Sequence, residues 1–132
     1  MTPTRNPAVD AFMAELEHPL KVEIEAVRVL VLGLEAGVTE GIKWKAPSFR
    51  TPAPTGDDFA TLHLRTRDSV QVILHLGAKV RPDRKEIALD DPRGLLKTLA
   101  WDRRLASLGA GEVFEANRDA FAIIVRQWMA HV

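Results

Sequence analysis

The chain has 132 residues, 46% hydrophobic and 27% charged, with 18 basic and 18 acidic side chains and no cysteine. That size suits one domain with one core, and the missing cysteines exclude disulfides, thiolate metal sites and cysteine nucleophiles. A formal net charge of zero argues against a duplex-binding surface, so no nucleic-acid partner is expected.

Met1 to Asp10 lacks the basic start and apolar run of a signal peptide. Apolar runs such as Val29 to Leu32 are too short to span a bilayer, so a soluble, cytoplasmic protein without a membrane partner is expected. Asn6-Pro7 reads as a helix start, with Asn6 as cap and Pro7 at the first helical position. Val9, Phe12, Met13 and Leu16 continue that helix at helical spacing. After Pro19, Leu20, Ile24, Val27, Val31 and Leu34 form one stripe of a second helix that ends near Gly33 or Gly37. Lys21, Glu25 and Arg28 then share its polar side.

Gly41 to Lys45 reads as a short strand cut by Pro47, and Thr51 to Gly56 is a loop rich in chain breakers. Phe59 to Arg65 and Val70 to Leu76 read as a β-hairpin. Its register follows from the pattern. Ala60, Leu62 and Leu64 share a face with Val70, Val72 and Leu74 only if an odd number of residues separates paired positions. Thr61, His63, Arg65, Gln71, Ile73 and His75 then occupy the opposite face. Asp91-Pro92 predicts a short helix over Arg93 to Leu99, and Arg103 to Leu108 a strand. From Glu112 a long helix with two broad apolar flanks runs to the C-terminus, suited to packing across a sheet. The sum is one α+β domain over residues 1–132, an antiparallel sheet with N-terminal helices and a long C-terminal helix packed on it.

The segment Val38-Thr-Glu-Gly-Ile-Lys-Trp-Lys-Ala-Pro-Ser-Phe49 resembles the signature of the YdhG-like proteins, a bacterial family of unknown function. Phe59-Ala-Thr-Leu-His-Leu-Arg65, Val70-Gln-Val-Ile-Leu-His-Leu-Gly-Ala-Lys79 and Trp101-Asp-Arg103 match in the same order, so the resemblance runs from Phe12 to Trp128. It implies a compact fold classed beside frataxin-like proteins, some of them linked to iron handling, and no established reaction.

Several residues are candidates for chemistry. Lys43, Lys45 and Ser48 could hold a carboxylate or phosphate; the alternative is that Trp44 packs in the core, Pro47 ends the strand and the lysines are solvated. His63 and His75 share a polar face with Arg65 and Gln71, although a metal site would need a third ligand. The alternative there is a face that meets water. Lys79 in the Gly77 turn and Trp101 complete a possible pocket wall. Asp10, Glu15, Glu17, Glu23 and Glu25 acidify the first two helices, and with the frataxin-like resemblance they support weak iron binding at most. No cofactor is otherwise expected. Ser48, Ser69 and Ser107 sit in no nucleophile motif, so no catalytic residue is expected. The reading is a small-ligand-binding or metal-handling module, monomeric or dimeric, with a small anion as its natural ligand. If an imidazolium takes part, binding weakens as pH rises through ~6.5. The alternatives are a homo-oligomeric protein-interaction partner or an enzyme of unrecognised type.

Overall fold

The computed structural model describes residues 6–52, 56–76 and 87–132. Along the chain run α1 (Pro7–Glu15), α2 (Lys21–Leu32), β1 (Thr39–Lys43), β2 (Ala46–Arg50), β3 (Asp58–His63), β4 (Val70–Leu74), β5 (Leu96–Ala100), β6 (Arg103–Gly109) and α3 (Gly111–Met129). Among the described residues the strands form one antiparallel sheet in the order β1-β2-β3-β4-β6-β5. The N-terminal helices pack at the β1 and β2 end, and α3 packs across β4 and β6.

Both N-terminal helices follow local sequence. Asn6 Oδ1 accepts the Ala8 N–H at 2.8 Å, and Pro7 supplies the preset φ of the first helical position. In α2 the stripe Ile24, Val27 and Val31 is buried, and Gly33 closes the helix by donating its N–H to Val29. Arg28, however, does not lie on a solvated face. It is 1% exposed, because a carboxylate arrives from β1. Arg28 Nε and Nη2 donate to the two oxygens of buried Glu40 at 2.7 and 2.6 Å, and Nη2 also donates to Asp10 at 2.6 Å. Glu25 lies 3.5 Å from Nη1. These hydrogen bonds to Glu40, followed by that to Asp10, push the guanidinium further above its ordinary value against the pull of burial. Glu40 Oε2 also accepts the Asn6 N–H at 2.7 Å. One cation thus joins α1, α2 and the edge of the sheet.

The register of the β3–β4 hairpin is the one its apolar pattern requires. Ala60 pairs with Leu74 and Leu62 with Val72, all four buried, while Thr61 opposes Ile73 and His63 opposes Gln71 on the other face. The segment around Trp44 departs from expectation. Pro47 does not end a strand but lies within β2, opposite Ile42. In a two-residue hairpin that pair is a non-hydrogen-bonded one, and pairing with β3 begins at Ser48, so the missing N–H costs no ladder bond. Trp44 and Lys45 form the turn, both in the left-handed region at φ 53° and 59°. Strand alternation therefore stops at Lys43, and Trp44 is 55% exposed instead of entering the core.

Residues Arg93 to Leu99 are not helical. Asp91 accepts the N–H groups of Leu95 and Leu96 at 2.8 and 2.9 Å, Gly94 takes φ +65°, and the chain then enters edge strand β5. The cap-like Asp91-Pro92 pair thus closes a turn. β6 matches its expected strand and pairs with both β4 and β5. On α3, Phe114, Asn117, Phe121, Ile124, Val125 and Trp128 are buried, whereas Val113 is exposed. Asn117 is accommodated by donating to Leu108 O and accepting from Arg93 Nε. Trp128 Nε1 donates to His75 O at 2.8 Å, fixing the end of β4 beneath the helix. No described helix is long and apolar enough to cross a membrane.

Candidate functional site

The sheet face opposite the helices carries a connected polar network. Thr61 on β3, opposite Ile73, lies beside Ser48 on β2, and their hydroxyls are 2.8 Å apart. Thr61 Oγ1 is 2.9 Å from His75 Nε2, just past the end of β4. Ser48 Oγ lies 3.1 Å from Asp58 Oδ1 and 3.2 Å from Ala60 O. A bulge between Phe49 and Arg50 brings Asp58 opposite Arg50, and the carboxylate meets Arg50 Nε at 3.2 Å and Lys43 Nζ at 3.5 Å. One hydrogen-bond direction satisfies the chain: His75 Nε2–H to Thr61, Thr61 to Ser48, and Ser48 to the Asp58 carboxylate.

Ser48, Thr61 and His75 are all essentially inaccessible, at 1%, 1% and 2% exposure. Burial first, then the charge of Lys43 and that of Arg103, holds the His75 imidazole down at about 4, while Asp58 and Asp102 oppose the shift. His75 is therefore neutral near pH 7. The buried hydroxyls lie beneath the surface where a nucleophile would have to meet its substrate. The network is a scaffold, and what it supports is Trp44. The indole packs on the His75 ring at a centroid distance of 5.1 Å, with Lys43 Nζ 5.2 Å and the Arg103 guanidinium 5.9 Å from its centre.

Beside this turn is a groove of about 460 Å³, lined by Trp44, Lys45, Ala46, Leu62, His63, Leu64, Arg65 and Ile73. Four of the sequence candidates, Trp44, Lys45, His63 and Arg65, come together there. Lys43, Ser48 and His75 belong to the network under Trp44. Gln71 is engaged elsewhere, donating to Ser107 at 3.0 Å and meeting Thr66 at 2.8 Å. Trp101 packs against the core and does not line the groove. Lys79 and Gly77 lie outside the described residues.

His63 and His75 do share a face, but they cannot share a metal. His63 opposes Gln71, four residues before His75, which at ~3.3 Å per residue separates the two backbone positions by ~13 Å along the strand. In the N-terminal helices, Asp10 and Glu25 turn to Arg28, Glu15 is exposed and Glu23 lies on the groove between α2 and α3, while Glu17 is exposed in the connection between α1 and α2 and not in a helix. Among the described residues no group of three or more His, Asp or Glu side chains is arranged to hold a metal ion. Sequence reasoning did not single out Arg50, Asp58 and Arg103. Asp58 reaches the network through a bulge, and Arg103 reaches Trp44 through a turn, neither of which has a sequence period. No family model, no curated protein and no solved structure matches this chain significantly.

Proposed function

We propose that this protein is a small-ligand-binding module whose ligand is an anion seated in the groove beside the Trp44–Lys45 turn. One observation carries the reading: exposed Lys45, exposed Arg65 and half-buried His63 border a single groove of about 460 Å³ together with a half-exposed indole. Its size falls within the roughly 300–1,000 Å³ usual for small-molecule sites, and donors outnumber acceptors among its side chains. The turn adds weight. Left-handed backbone at a tryptophan and a lysine costs on the order of 1 kcal/mol or more per residue, and such strain gathers at binding sites. The resemblance to the YdhG-like, frataxin-like group is compatible with a cytoplasmic ligand-handling role. The occupation of Asp10 and Glu25 by Arg28 favours an anion over iron as the cargo.

Titration with inorganic phosphate and small carboxylates, followed by calorimetry and thermal shift, tests this. Lys45→Asn removes the cation while Asn tolerates the left-handed turn, and Arg65→Gln removes the second. Each should weaken binding several-fold, more at low than at high salt. Affinity unchanged in both variants would place the ligand elsewhere and end this reading.

A further inference from the structure

We infer that the ligand is an amphipathic anion, a flat aromatic ring bearing a carboxylate, a conclusion that rests on the anion-binding reading above and narrows its chemistry. An inorganic anion would use only Lys45, His63 and Arg65, leaving Trp44 and Ile73 in water. The groove offers both kinds of wall at once, so the ligand that matches it carries a charge at one end and apolar surface at the other.

The choice of an aromatic body over an alkyl chain comes from Trp44. Its indole is 55% exposed although large apolar side chains are usually covered. It is also held in place: its backbone is fixed by the turn at φ 53°, its ring packs on His75, and His75 is anchored through Thr61, Ser48 and Asp58. A rigid, preorganised planar wall loses little entropy when a second plane stacks on it. Lys43 and Arg103, 5.2 and 5.9 Å from the ring centre, hold the electron-rich indole further in place by cation–π contact. A mobile alkyl chain would suit a deformable, methionine-rich wall instead, and among the described residues no methionine lines this groove.

The test uses three probes on the intact chain: 2-naphthoate, cyclohexanecarboxylate and inorganic phosphate. Binding is followed by calorimetry and by tryptophan fluorescence, where the difference from Trp44→Asn separates exposed Trp44 from partly buried Trp101 and fully buried Trp128. We expect 2-naphthoate to bind about tenfold more tightly than cyclohexanecarboxylate, the scale of one stacking contact, and more tightly still than phosphate. Trp44→Asn, which suits the left-handed turn, should abolish the aromatic preference. Trp44→Phe should restore part of the preference, which a purely structural role for Trp44 would not do. Equal affinity for the two carboxylates, or a preference that survives Trp44→Asn, overturns the aromatic inference while leaving anion binding intact. Absence of binding by all three probes at millimolar concentration overturns both.

Discussion

Replacing Glu40 by alanine removes the acceptor of two guanidinium hydrogen bonds from Arg28 and of the Asn6 N–H. The glutamate side chain is 0% exposed and that of Arg28 1%, so solvent cannot take over the abandoned charge. Breaking a buried pair from one side typically costs ~3–5 kcal/mol. Here Asp10 still meets Arg28 at 2.6 Å and its side chain is 49% exposed, which places the expected loss at the lower end, about 3 kcal/mol. Arg28→Ala should cost about 4, because the carboxylate then keeps only the Asn6 N–H. Against a total stability of roughly 5–15 kcal/mol either loss is large, and at a slope of ~1–3 kcal/mol per molar the urea midpoint should fall by about 1–4 M. The decisive variant is the double exchange Arg28→Met with Glu40→Leu, which leaves no buried charge. It should cost less than either single change. Single losses below about 1 kcal/mol, or a double variant that costs the sum of the two, would refute the claim that this pair is coupled and desolvated.

His75 should make stability depend on pH with a definite sign. Its pKa is about 4 in the fold and ~6.5 unfolded, so the unfolded chain binds more protons between those values. The stabilisation is complete above ~6.5 and is lost as pH falls toward about 4, by about 3 kcal/mol in all. The difference in urea midpoint between the native protein and His75→Gln across that window isolates it, and a flat difference would refute it. In the hairpin, Leu62→Asp should cost on the order of 3–5 kcal/mol and His63→Ala less than about 0.5; equal losses by chemical denaturation would overturn the register, since Leu62 is 3% exposed and His63 half-buried.

Where structure depends on neighbours in the chain, the sequence alone determined it. The Asn6-Pro7 cap, the Ile24–Val27–Val31 stripe, the long closing helix and the β3–β4 register are set by spacings of two to four residues, and all of them stand in the fold. The α+β class was legible for the same reason, whereas the approach of Trp44 and Lys45 to His63 and Arg65 needed β2 to pair with β3. Other features needed partners far along the chain. Arg28 reads as a surface residue until Glu40 is brought against it from twelve positions away, and Asp91-Pro92 reads as a helix cap until pairing with β6 draws the following residues into β5. Trp44 reads as part of the Gly41 to Lys45 strand because alternation is local, whereas the two-residue turn that lifts it out depends on β2 folding back beside β1. The neutral state of His75 was likewise a tertiary decision. Trp44, 31 positions away, packs on its ring, and the charge of Lys43 opposes its protonation. A short-range pattern can fix which face a residue occupies, but only the folded chain determines what covers it.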